Sequence, residues 1–168
     1  MLVNLLRFAL YDFEMQVPND WKLSIDRKSQ YGAGIMSFST PHGSTLDIIW
    51  ENLEKHRSKS PTVEDFLNNY IEEMKKNKNV KSIDFTKESP TRTEEHESLP
   101  HEFTYVYKQP FSKAVSMKIV SKCLYCLHSN RFIIVYSRFD PKKENPDEPV
   151  IRDAIKSFDC HCTKNTKP

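Results

Sequence analysis

The sequence predicts an α+β fold, an antiparallel β-sheet with helices packed on it, and three observations carry that expectation. Two long β-prone runs, 115–128 and 132–137, flank a Ser129-Asn130 corner, and Asn tolerates the left-handed backbone of a two-residue hairpin turn. Val63, Phe66, Leu67, Tyr70, Ile71 and Met74 recur at the spacing of one helix face. The predicted strands group before and after that helix instead of alternating with helices, which favours an antiparallel sheet over a doubly wound one.

Each element has its own local reason. Phe13, Met15 and Val17 alternate with Asp12, Glu14 and Gln16, the period of a half-buried strand, and after a turn at Pro18-Asn19-Asp20 the residues Trp21, Leu23 and Ile25 alternate again. Gly32-x-Gly34 marks a bend at a sheet corner. It lacks the third glycine and the following helix of a dinucleotide loop. Runs 35–39 and 45–50 flank Pro41-His42-Gly43-Ser44 as a hairpin, with Leu46, Ile48 and Trp50 pointing inward. The central helix opens on a Thr62-x-x-Asp65 capping box and ends on Lys75-Lys76, which suits its macrodipole. Runs 80–85 and 102–107 read as strands, the second with Phe103, Tyr105 and Tyr107 on one face. Residues 87–100, rich in Thr, Ser, Glu and Pro, read as a mobile surface loop. Residues 132–136 leave no polar face, so that strand belongs in the middle of the sheet. Asn145-Pro146-Asp147-Glu148 opens a last helix whose stripe is Val150, Ile151, Ala154, Ile155 and Phe158.

With 168 residues the chain is expected to be a single domain over 1–162, followed by a polar, flexible tail at 163–168. A hydrophobic share of 38% with 29% charged residues argues against both a membrane protein and a disordered one. The charge of +2, from 25 basic against 23 acidic residues, does not call for a nucleic-acid partner. MLVNLLRFAL is too short to span a bilayer and lacks a basic leader region and a cleavage site, so it reads as part of the fold. The cytoplasm is then the expected compartment, where thiols stay reduced or bind metal.

Taken together, FEMQVPNDW near the start, the amphipathic mid-chain helix, the long late hairpin and a last helix ending in Ile155-Lys156-Ser157-Phe158 resemble the PsbP/Mog-like family. That family includes PsbP subunits of the photosystem, a Ran-binding nuclear import factor and bacterial DcrB-type proteins. The resemblance spans residues 13–158. It implies a sandwich around an antiparallel sheet and a binding or assembly role with a protein partner, more than catalysis. No functional residue is carried over from it.

The four cysteines are the chemistry-bearing residues. Cys123, Cys126, His128, Cys160, His161 and Cys162 together supply enough soft and borderline donors for a tetrahedral zinc site. In a regular strand Cys123 and Cys126 face opposite sides, whereas Cys126 and His128 share one. The expected set is therefore Cys126, His128, Cys160 and one of His161 or Cys162, joining the last hairpin to the end of the last helix. Two other readings stay open: buried core thiols, and a Cys126–Cys160 disulfide. A thiol-dependent hydrolase using Cys126 or Cys160 with His128 or His161 is the enzyme alternative, although no local signature surrounds either cysteine. His42, His56, His96 and His101 read as solvated surface histidines, and Glu94, Glu95 and Glu97 as acids of a solvated loop. Lys75-Lys76-Asn77-Lys78-Asn79-Val80-Lys81 could touch phosphate as a weak nucleic-acid site, but it reads first as a solvated helix end.

Overall fold

Alternating polarity decides which face of each strand is buried, and the computed structural model, which describes residues 5–160, sorts those faces into cores on the two sides of one sheet. β1 (Leu5–Leu10) and β2 (Phe13–Pro18) form a separate antiparallel hairpin, so the described part of the apolar N-terminal run is a strand. Its turn residues Tyr11 and Asp12 both have positive φ, 52° and 62°, the two-residue geometry that matches strand twist.

The main sheet is antiparallel throughout. Its order is β3 (Lys22–Ile25), β4 (Gly34–Ser39), β5 (Thr45–Asn52), β10 (Arg131–Phe139), β9 (Val115–Cys126), β8 (His96–Tyr107) and β6 (Val80–Lys87), with the short β7 (Thr91–Arg92) also against β8. The helices are α1 (Glu54–Arg57), α2 (Val63–Lys76) and α3 (Glu148–Ser157). No helix among the described residues is long and apolar enough to cross a membrane.

On one face Leu46, Ile48 and Trp50 of β5 and Ile133 and Val135 of β10 are covered by the β1–β2 hairpin and by Ile151, Ala154 and Ile155 of α3. On the other, α2 lays Val63 and Leu67 on Leu99, Cys123, Tyr125 and Phe132, and Ile71 on Phe103 and Ile119. Each fully buried Leu, Ile or Phe contributes about 2 kcal/mol of apolar transfer. Strand β10, packed on both faces between β5 and β9, is the centre of the sheet, in keeping with its unbroken apolar run.

Three local expectations need correction. Residues 87–100 are not a free loop, because β7 and the first five residues of β8 lie within them. The β9–β10 turn has four residues, 127–130, since Cys126 already pairs with Arg131; Asn130 does take the left-handed conformation, at φ 52°. Helix α3 begins at Glu148 and not at Pro146. Asn145 instead closes a preceding turn, its side-chain oxygen accepting from the Asp147 N–H at 2.9 Å.

Candidate metal centre

One end of the sheet gathers three potential ligands by register and by a chain crossing. His96 opens β8 directly opposite Cys126, the last residue of β9, and Cys126 in turn faces Arg131 at the start of β10. Thr93 sets the entry into β8, donating its N–H to the His96 carbonyl at 2.8 Å while its hydroxyl accepts from the His96 N–H at 3.0 Å. The third ligand arrives from the end of α3. There Phe158 packs on Phe13, ring centroids 5.5 Å apart, and Asp159 forms a two-bond bridge with Glu14, at 2.9 and 2.8 Å. Cys160 is thereby delivered to the sheet edge with its sulfur 2.8 Å from His96 Nε2.

The ligand atoms of His96, Cys126 and Cys160 all lie within 4.8 Å of one another, both cysteines are fully buried, and His96 is half-buried. Tetrahedral zinc, with metal–sulfur bonds of about 2.3 Å and metal–nitrogen bonds of about 2.1 Å, holds its donor atoms about 3.6–3.8 Å apart, so the cluster is of the right size and the His96–Cys160 hydrogen bond of 2.8 Å would open by less than about 1 Å on ligation. The donor chemistry also suits it: one imidazole nitrogen and two sulfurs.

Electrostatics divides the two sulfurs. The hydrogen bond from the Cys160 thiol, helped by the Ser129 hydroxyl and N–H and by the field of His96, holds the Cys126 thiol below its ordinary value against the opposing cost of burial. Cys160 moves the other way, held protonated by that same bond to Cys126 and then by burial. Arg131 is paired in register with Cys126 and bonded to the Cys160 backbone. Its guanidinium is fully buried, donates to the carbonyls of Tyr11 at 2.7 Å and Cys160 at 2.9 Å and to the Ser129 hydroxyl at 2.9 Å, and lies between the rings of Phe13 and Tyr31 at 4.3 and 4.4 Å. Among the described residues no carboxylate forms an ion pair with it. A buried charge without a counter-charge is costly; here carbonyl and hydroxyl acceptors and two ring faces surround it, and its field favours charge on Cys160.

The candidate ligands read from the sequence are distributed as follows. Cys126 and Cys160 come together. Cys123 faces α2, in the opposite core, where burial pushes its thiol up. His128 is exposed in the four-residue turn: the strand stops at Cys126, so the alternation that would have put His128 on the same face has ended. His161 and Cys162 lie outside the described residues.

His96 is the residue that sequence reasoning missed. Carrying the alternation of Phe103, Tyr105 and Tyr107 backwards reaches His101, and His96, of the other parity, falls on the opposite face with Cys126; Pro100 interrupts any reading of the strand that far back, because proline disrupts most inner strands. Here it does no damage. The β6 ladder stops at Lys87–His101 and the β7 ladder starts at Thr91–Ser98, so Pro100 faces the gap between them, its carbonyl accepting from the Glu88 N–H at 3.1 Å.

No protein-family model matches the chain, and no curated protein matches it. Among solved structures it is similar to the solution structure of cyanobacterial PsbP (CyanoP) from Synechocystis sp. PCC 6803, with a TM-score of 0.56 over 96% of this chain and 95% of that one at 10% identity. At that identity the likeness is one of architecture: the chain has a PsbP-like α+β fold.

Proposed function

We propose that this protein is a binding or assembly domain on a PsbP-like scaffold, and that His96, Cys126 and Cys160 hold a structural zinc ion pinning the end of α3 to the sheet edge. The observation that carries the metal reading is the convergence of two buried sulfurs and an imidazole nitrogen within 4.8 Å. The next two residues in the chain, His161 and Cys162, offer the fourth donor. A reducing compartment, the cytoplasm, keeps both sulfurs available to the metal. The PsbP/Mog-like resemblance supports a scaffold that works by contact with a protein partner. The hydrolase alternative is weaker because Cys126 and Cys160 are fully buried, and a nucleophile has to meet its substrate. A nucleic-acid role for residues 75–81 is weaker because Lys75 and Lys76 pair with Glu72 and Glu73, and Lys81 donates to the Lys78 carbonyl.

The test is the metal content of full-length protein purified under reducing conditions without chelator. About one zinc per chain is expected, lost in Cys126→Ser, Cys160→Ser and His96→Ala and kept in Cys123→Ser, whose sulfur lies in the other core. Metal-free protein that also fails to take zinc from a chelating dye would overturn the reading. A Cys126–Cys160 disulfide found in freshly isolated protein would do so as well.

A further inference from the structure

The opposite face of the sheet carries a second site, independent of the thiol cluster. Between α2 and the strands lies a cavity of about 210 Å³. Protein interiors are packed as densely as organic crystals, and a dry hole of about 150 Å³ is already enough to admit benzene. The roof is Phe66 and Tyr70 of α2, and across the floor runs one cross-strand row, Tyr136, Ser121 and His101. Apart from that row and Arg138 at the mouth, the walls are apolar.

Two polar atoms in that row, His101 Nε2 and the Ser121 hydroxyl, are left over by the fold's own hydrogen bonds. His101 is only 7% exposed, and its Nδ1 lies 3.1 Å from the Leu99 carbonyl, which places the ring proton on Nδ1 and leaves Nε2 as an acceptor. Nε2 has no hydrogen-bond partner among the described residues. Burial keeps the ring neutral, pulling its pKa down to about 4. Ser121 is 3% exposed, and its hydroxyl likewise has no partner among the described residues. Neither atom is sealed off from solvent: both belong to residues lining the cavity, and side by side they offer an entering ligand an acceptor and a hydroxyl. At the mouth Arg138 rests its guanidinium 5.1 Å from the Tyr136 ring centre and donates to the Tyr136 hydroxyl at 3.2 Å, with no carboxylate partner among the described residues.

We propose that this cavity binds a small hydroxylated aromatic acid. The ring lies between Phe66, Tyr70 and the sheet, the hydroxyl donates to His101 Nε2 and accepts from Ser121, and the carboxylate meets Arg138. Size, apolar walls, an acceptor–donor pair inside and a free cation at the rim each select one part of that molecule.

The probe is 4-hydroxyphenylacetate, titrated into the full chain and followed by amide and side-chain NMR. Saturable shifts centred on His101, Ser121 and Arg138 are expected. Phenylacetate should bind at least about tenfold more weakly for want of the hydroxyl's two hydrogen bonds. Arg138→Gln should weaken both probes, whereas Ser121→Ala, a small change that leaves the packing in place, and His101→Phe should erase the preference for the hydroxyl. Shifts that never saturate, shifts confined to residues away from the cavity, or an undiminished hydroxyl preference in both of the last two variants would overturn the proposal.

Discussion

Gly34 shows how a single atom can be decided by a distant strand. A Cβ there would stand 2.4 Å from Trp50 Cζ2 and 2.7 Å from the Ser29 Cβ, inside any real contact distance. Trp50 cannot yield cheaply: it is buried, and its indole N–H donates to the carbonyls of Gln30 at 2.9 Å and Tyr31 at 3.1 Å. Gly34→Ala is therefore expected to lower stability by about 1–3 kcal/mol, as overpacking does, read as an earlier urea midpoint with an unchanged slope. The glycine pair was legible as a bend, but the reason for Gly34 was not, because it lies sixteen positions along the chain in the neighbouring strand. His96 has the same history at the candidate site. Nothing beside it in sequence marks it, and its neighbour Cys160 comes from the far end of the chain.

Elements whose cause is local were legible, and those whose cause is a partner were not. Helix α2 belongs to the first kind. The Thr62 hydroxyl accepts from the Asp65 N–H at 3.0 Å and the Asp65 carboxylate accepts from the Thr62 N–H at 3.2 Å, a reciprocal box spelled out within four consecutive residues. Thr62→Ala should cost about 1 kcal/mol and accelerate hydrogen exchange in the first turn while leaving zinc content and the cavity untouched. Strand β8 belongs to the second kind: its first half exists because β7 and β9 flank it, and its composition alone suggests a loop. The start of α3 is of that kind too, since the Asp147 carboxylate is taken up by the Thr40 hydroxyl instead of capping the helix. The late hairpin was placed correctly as a pair of strands, yet its turn is two residues longer than Asn130 alone suggested.

Across the whole molecule the acid limb of the stability curve carries the signature of His101. Unfolded, an imidazole takes its proton near pH 6.5; folded, this one does so only near 4, because burial penalises the charged ring more than the Leu99 carbonyl favours it. The unfolded chain thus binds the proton first as pH falls. The stabilisation from a neutral His101 is complete above pH 6.5, erodes below it and is gone near pH 4, a loss on the order of 3 kcal/mol. His101→Phe should flatten the fall of the urea midpoint over that window, and an unaltered slope would show that the ring is solvated. The α+β class and the sheet's centre were legible from periodicity. The convergence at the candidate site was legible only as a supply of sulfurs, because it depends on residue 14 meeting residue 159. That meeting has a consequence for synthesis. Arg131 draws on the carbonyls of Tyr11 and Cys160 together, so a nascent chain whose residues 159 and 160 still sit in the ribosomal exit tunnel holds an unfinished guanidinium shell and an N-terminal hairpin with no closing strap. Such a chain stays open to chaperones until translation has carried residue 160 into solvent.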